Sequence, residues 1–196
     1  MSTVIQPVLD QRIKGRKGFG LIQLFEGHGK GKTTAALGEA LRAVGAGKRV
    51  AIVFFDKGGD HYGERDAIDE YLPGRIEYYG TGRDRIDPVT GRFDFEITDE
   101  DRSEGERGLK LVNEIFARGE HELVIMDEIN SSADLGIVSV ESVLELVDSK
   151  PDHVELVMTG RNAPSEFKER AHLVTEMKLV KHYFYSGVPA REGLDY

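Results

Sequence analysis

The chain has 196 residues, a formal net charge of −9, 39% hydrophobic and 31% charged residues, and no cysteine. That composition describes one globular domain with a sizeable core. It excludes disulfides, thiolate chemistry and iron–sulfur clusters, and it argues against a general nucleic-acid surface, which needs excess Lys and Arg. No apolar run approaches the length of a membrane span, and residues 1–17 lack the apolar core of a signal peptide. These absences predict a cytoplasmic protein without membrane or nucleic-acid partners.

Residues 1–18 are polar and glycine-punctuated, with at best a short helix around 9–14. They read as an N-terminal arm, either a flexible tail or a segment that closes over a ligand. The domain proper is expected over 19–196.

From Gly20 the pattern becomes α/β. Residues 21–26 are apolar enough for a buried strand. They run into Gly27-His28-Gly29-Lys30-Gly31-Lys32-Thr33-Thr34, which opens an amphipathic helix from Lys32 to about Val44, with Gly45 as its expected terminating glycine. Strand, glycine-rich loop and helix form the setting of a phosphate-binding loop. Glycines let several N–H groups point at one anion, and the helix N-terminus adds partial positive charge. Lys32 supplies a full charge, and the Thr33 hydroxyl is placed to ligate Mg²⁺. One position departs from the consensus. Glu26 stands where the first glycine is usual, and its carboxylate is expected to point away from the phosphates, toward solvent or a basic partner.

Residues 49–55 form a near-continuous apolar strand, as a parallel sheet covered on both faces requires. It feeds a polar loop, residues 56–65, and a third strand is expected at 75–79. Residues 80–98 are irregular and charged, long enough for a functional lid, and they contain Phe93 and Phe95. Thr98 followed by three acids caps a helix expected to reach about Ala117. The strand at 122–126 ends in Asp127-Glu128. An apolar strand ending in paired carboxylates is the Walker B pattern, whose acids hold Mg²⁺ directly or through water. A helix at 139–147, a strand at 153–159 ending at Gly160-Arg161, a short helix and a strand at 173–177 complete the pattern. Six strands alternating with helices predict a single doubly wound, mostly parallel α/β sheet. The loops after the strands converge on one edge, which gathers the P-loop, the 56–65 loop, Asp127-Glu128 and Thr159-Gly160-Arg161. Arg42, farther along the P-loop helix, reads as a surface arginine on the residues alone.

A P-loop fixes a nucleotide but not a reaction, and kinases, hydrolases, switches and transferases all share it. The detailed text goes further. The blocks Gly27-x-Gly29-Lys30-Gly31-Lys32-Thr33-Thr34, Arg42-Ala43-Val44-Gly45, Lys57-Gly58, Gly63-Glu64-Arg65, Met126-Asp127-Glu128-Ile129-Asn130, Thr159-Gly160-Arg161-Asn162-Ala163-Pro164, Val180-Lys181-His182 and Gly193-Leu194-Asp195-Tyr196 resemble the ATP:corrinoid adenosyltransferases of the CobA/CobO/BtuR type. The resemblance runs from Gly20 to Tyr196. It implies a P-loop NTPase (RecA-like) fold and a homodimer that transfers the 5′-deoxyadenosyl group of ATP to Co(I) of a corrinoid and releases triphosphate, with a reduced flavin or flavoprotein as electron donor. It implies catalytic roles for Lys32, Glu128 and Arg161, with Mg²⁺ on Thr33, Glu128 and Asp127. It also brings Arg42 to the nucleotide, alongside residues 27–34, and Phe93 and Phe95 to the corrin. The chain departs from the family pattern at Glu26, His28 and Asp56. Those departures leave a second reading, a paralogue that binds nucleotide or corrinoid without catalysis, beside a third, a P-loop ATPase.

Overall fold

The computed structural model describes residues 9–85, 94 and 96–195. Its elements in chain order are β1 (Ile22–Glu26), α1 (Lys32–Gly45), β2 (Val50–Phe54), α2 (Gly63–Tyr71), β3 (Ile76–Gly80), α3 (Asp99–Arg118), β4 (Leu123–Asp127), α4 (Ile129–Asp134), α5 (Val140–Asp148), β5 (Glu155–Thr159), α6 (Ser165–Arg170) and β6 (Leu173–Glu176). The six strands form one sheet in the order β3-β2-β4-β5-β1-β6, and every pairing is parallel. β1, which carries the P-loop, therefore lies next to β5, and β4 with its two acids lies on the other side of β5.

Side-chain alternation along each strand builds two cores. On one face Phe25, Ile52, Phe54, Ile125 and Val157 pack with Ala36, Ala40 and Ala43 of α1. The small alanines let α1 lie close on the sheet. On the other face Leu24, Val53, Met126 and Met158 meet Val112, Ile115 and Phe116 of α3 and Val143, Leu146 and Val147 of α5. Burial on both faces explains why β2, β4 and β5 are buried along their whole length and read as continuous apolar runs. β6 is exposed throughout at the sheet edge.

Caps set the helix boundaries. Thr98 caps α3 through a reciprocal box with Asp101, and Gly119, at φ 62°, ends it in the left-handed region. At the end of α1 the structure corrects the expected terminator. Gly45 is helical, and Gly47, at φ 78°, is the left-handed residue. The N–H of Lys48 bonds Ala43 O at 2.9 Å and that of Gly47 bonds Val44 O at 2.9 Å, which is a Schellman closure. Two helices were not foreseen: α2, inside and beyond the expected 56–65 loop, and α4, which starts directly after the Glu128 turn. Around the expected helix at 9–14 the chain forms a short 3₁₀ turn, Gln11–Ile13.

Candidate active site

The loops after the strands enclose a cavity of about 720 Å³ lined by residues 28–34, Lys57, Glu128, Arg161 and parts of the tail between His182 and Asp195. Its size suits a nucleotide-scale ligand. The P-loop forms its floor. Gly27 and Gly31 adopt φ of 105° and 123°, conformations that L side chains rarely take. Gly29 must be glycine for a different reason. Its N–H donates to Met177 O at 2.7 Å, and a Cβ there would lie 2.7 Å from that same oxygen. The chain leaving β6 thus braces the loop from outside.

Lys32 is 7% exposed, and its Nζ donates to Gly27 O at 2.8 Å and Gly29 O at 3.0 Å. Burial lowers its pKa from the usual lysine value, and the Glu128 charge works against that shift. Its ammonium therefore waits inside the loop that would wrap the phosphates. The Thr33 hydroxyl donates to Asp127 Oδ2 at 3.3 Å. Asp127 is 1% exposed and also accepts from Thr159 Oγ1, through Oδ1 at 2.6 Å, and from Lys57 Nζ, through Oδ2 at 2.5 Å. Glu128 sits in the left-handed region at φ 61°, which turns its side chain into the cavity. Its N–H donates to Thr159 Oγ1 at 2.9 Å, and its carboxylate accepts from Ser131 Oγ at 2.7 Å. The Arg161 N–H donates to that same serine oxygen at 2.9 Å. One serine on α4 thus ties the loop after β4 to the loop after β5.

No cluster of three or more His, Asp or Glu side chains suited to a metal exists among the described residues. The cavity lining nevertheless offers the Thr33 hydroxyl and the Glu128 carboxylate, with the Asp127 carboxylate bonded to Thr33 at 3.3 Å behind it. That donor set fits Mg²⁺, which keeps waters and takes its remaining ligands from substrate phosphates rather than from a full protein cage.

The structure gathers the sequence-predicted residues His28, Gly29, Lys30, Gly31, Lys32, Thr33, Thr34, Glu128 and Arg161 around the cavity, with Gly27 and Asp127 bonded to them from behind. Arg42 does not join them. It lies ten residues along α1 from Lys32, about 15 Å at the helical rise, and lines a separate hollow with Phe19, Glu39 and Glu155. Phe93 and Phe95 lie outside the described residues. The departures find local partners. The Glu26 carboxylate pairs with Lys168 Nζ at 2.8 Å, so it has the basic partner expected of it. His28 Nε2 meets Asn162 Oδ1 at 3.0 Å. Asp56, at φ 51°, accepts from Arg85 Nε at 2.7 Å, and Arg85 also reaches Asp101 at 3.0 Å.

Sequence reasoning assigned the tail no site residues, beyond its place in the matching blocks. Parts of the tail between His182 and Asp195 supply one wall of the cavity. Lys30 Nζ donates to Tyr183 Oη at 3.2 Å, to Leu194 O and to Asp195 Oδ1. Arg191 Nε reaches Asp195 Oδ2 at 3.1 Å, and the guanidinium carbon Cζ lies 4.4 Å from the centre of the Tyr183 ring. Hydrogen bonds from Lys30 and Tyr183 hold the Asp195 pKa below the usual carboxylate range. Sequence reasoning brought the 56–65 loop and Thr159 to the same edge but did not foresee Lys57 and Thr159 as partners of Asp127.

Comparison with known proteins places this arrangement. A solved KaiC-like protein of Pyrococcus horikoshii shares the fold, with a TM-score of 0.53 at 17% identity over 82% of this chain and 72% of that one. A corrinoid adenosyltransferase of Pseudomonas aeruginosa is 32% identical over 96% of this chain and 90% of its own length. The corrinoid adenosyltransferase CobA of Salmonella typhimurium is 32% identical over 90% of this chain and 86% of its own. An uncharacterized protein of Nostoc is 34% identical over 87% of this chain, which spans only 47% of that protein. The family model for ATP:corrinoid adenosyltransferase BtuR/CobO/CobP matches residues 18–196. With that match on nearly the whole chain, and a P-loop cavity built from the matching blocks, the chain belongs to the ATP:corrinoid adenosyltransferase family.

Proposed function

We propose that this protein transfers the 5′-deoxyadenosyl group of ATP to the Co(I) centre of a corrinoid. The cobalt electron pair attacks C5′, the C5′–O bond breaks, and its electrons leave with triphosphate. The observation that carries the reading is the family match over residues 18–196 on a cavity lined by Lys30, Lys32, Lys57 and Arg161. Because the reduced metal is the nucleophile, the protein need not supply a base. Its task is to hold C5′ in line and to stabilise a departing polyanion. Lys32 and Arg161 face that anion, and Lys30 stands beside it at the tail wall. Glu128 is tied to Ser131 at 2.7 Å, which suits a metal-holding or positioning role better than activation of water. Mg²⁺ on Thr33, Asp127 and Glu128 would neutralise charge on the leaving group.

Several parts rest on the resemblance. They are the corrin contacts of Phe93 and Phe95 and a reduced flavin or flavoprotein donor, while the cytoplasmic setting rests on the composition. No helix among the described residues is long and apolar enough to cross a membrane. The homodimer has physical support in exposed apolar side chains on and after the edge strand, including Leu173, Val174 and Val180. A binding-only paralogue loses much of its motivation, because Glu26 and Asp56 each pair with a protein cation. The test combines protein, Mg-ATP and chemically reduced cobalamin or cobinamide. A light-sensitive Co–C product, followed in the corrinoid spectrum, supports the reading. Tight ATP binding with no product on any corrinoid refutes it.

A further inference from the structure

Lys57 follows β2, and its ammonium takes a position that a divalent ion would need. Its Nζ lies 2.5 Å from Asp127 Oδ2 and 3.2 Å from Thr33 Oγ1, and those two oxygens are 3.3 Å apart. The three atoms close a triangle. The side chain is 15% exposed, with the Phe54 and Tyr62 rings centred 5.8 Å and 6.0 Å from Nζ. Its backbone is fixed as well, since Lys57 O accepts from Arg65 Nη2 at 2.6 Å and Lys57 N–H bonds Thr81 O at 2.8 Å. This is a placed cation rather than a mobile surface lysine.

Two of the three protein oxygens that fit Mg²⁺ are thus already engaged by an ammonium. Two cations cannot share that triangle, because their repulsion at such a distance in a partly dry site is large. We propose that Lys57 is a resident counter-ion of the metal site, which Mg²⁺ displaces from Asp127 and Thr33 when it arrives with ATP. The inference rests on the reading of Thr33 and Asp127 as metal-binding groups. Without nucleotide, the ammonium neutralises Asp127 and keeps free metal out. With Mg-ATP, the ion takes the Asp127 and Thr33 oxygens, and the ammonium turns into the cavity it already lines, toward the triphosphate oxygens. Charge stays balanced, since Asp127 exchanges one cation for another and the lysine gains an anionic partner. The device makes metal loading depend on ATP, and it brings a third lysine to the leaving group only when the metal is present.

The test uses the full chain without nucleotide and Mn²⁺ as probe, with free ion read by electron paramagnetic resonance. Lys57→Met should bind Mn²⁺ about tenfold or more tightly than the native protein. Lys57→Gln, which can still donate to Asp127, should show the same direction and serves if the apolar variant folds poorly. Lys30→Met is the control, because it removes a charge from the same cavity but bonds Tyr183 and Asp195 rather than Asp127. It should change affinity by less than about threefold. Adding Asp127→Asn to Lys57→Met should abolish the gain. A Lys57→Met protein that binds no tighter than Lys30→Met overturns the proposal, as does a gain that survives Asp127→Asn. If the native protein takes up no Mn²⁺ even with ATP present, the metal reading itself fails, and the lysine exchange falls with it.

Discussion

Thr159 offers a sharp probe of how the site is assembled. Its side chain is fully buried at the end of β5. The hydroxyl donates to Asp127 Oδ1 at 2.6 Å and accepts the Glu128 N–H at 2.9 Å. Thr159→Val keeps the shape and removes both bonds. Losing a hydrogen bond to a charged acceptor costs about 1.5–3 kcal/mol, and leaving a backbone N–H unsatisfied costs about 1–3 kcal/mol. The Glu128 N–H belongs to a residue in the left-handed region, so its anchor also holds a strained turn. Together these give a loss of about 4 kcal/mol. That is a large fraction of the ~5–15 kcal/mol typical of a domain, yet compatible with folding at room temperature. For a chain of this length it corresponds to a fall in Tm of about 8–16 °C. Thr159→Ser keeps the hydroxyl and loses only a buried methyl, for about 1 kcal/mol. Urea and thermal melts of both variants measure the difference. If Thr159→Val lies within about 0.5 kcal/mol of Thr159→Ser, the hydroxyl does not hold the two acids and the description of the site is wrong.

Three further outcomes follow from the same structure. Gly27→Ala should reduce ATP binding at least tenfold and lower stability by about 1–3 kcal/mol, since its Cβ would lie 2.5 Å from Met177 O at a φ of 105°; equilibrium dialysis and melts check it. Lys168→Met should leave ATP affinity within about threefold of the native value, because Glu26 is turned toward Lys168 and away from the cavity, and an ion pair at a part-exposed position contributes under about 1 kcal/mol. A large rise or fall in calorimetric ATP affinity would mean that Glu26 faces the phosphates. The third outcome concerns acid stability. Burial pushes the Asp101 pKa up, but bonds from the Thr98 N–H and hydroxyl, with Arg83 and Arg85, outweigh it and leave the carboxyl below its ordinary value. A depressed folded-state pKa means that the unfolded chain binds the proton more readily. The stabilisation is therefore present above the unfolded value near 4 and is lost as pH falls through the folded value. Asp101→Asn should lower stability at pH 7 and flatten its decline below pH ~4. An unchanged acid limb in denaturant titrations would contradict this.

The strands were legible because a parallel sheet covered on both faces leaves apolar runs such as Val50–Phe54 and Leu123–Asp127. The P-loop and the Asp127-Glu128 pair were legible because their chemistry needs those residue types at the junction of strand and helix. What stayed hidden has specific causes. α4 begins straight after a left-handed Glu128 with no side-chain cap and runs six residues, too short for a periodic signal. Gly45 and Gly47 both suit a helix end, and the Lys48-to-Ala43 bond that selects Gly47 is a backbone property. The tail carries no apolar period, and it meets the site through Met177 O, Leu194 O and Asp195, groups whose partners are more than 140 residues away. Lys57 and Asp127 are separated by 70 positions, and only the pairing of β2 with β4 sets them side by side. The Asp56–Arg85 pair was hidden for a similar reason, since a charged loop gives no register.

The central claim is that the cavity grips a triphosphate as a leaving group while the bond breaks at C5′. The phosphate product tests it most directly. Phosphorus-31 spectra of a reaction with Mg-ATP and reduced corrinoid should show intact inorganic triphosphate, one per Co–C bond formed. ADP with orthophosphate, or AMP with pyrophosphate, as the only products would place bond cleavage within the phosphate chain and contradict the account.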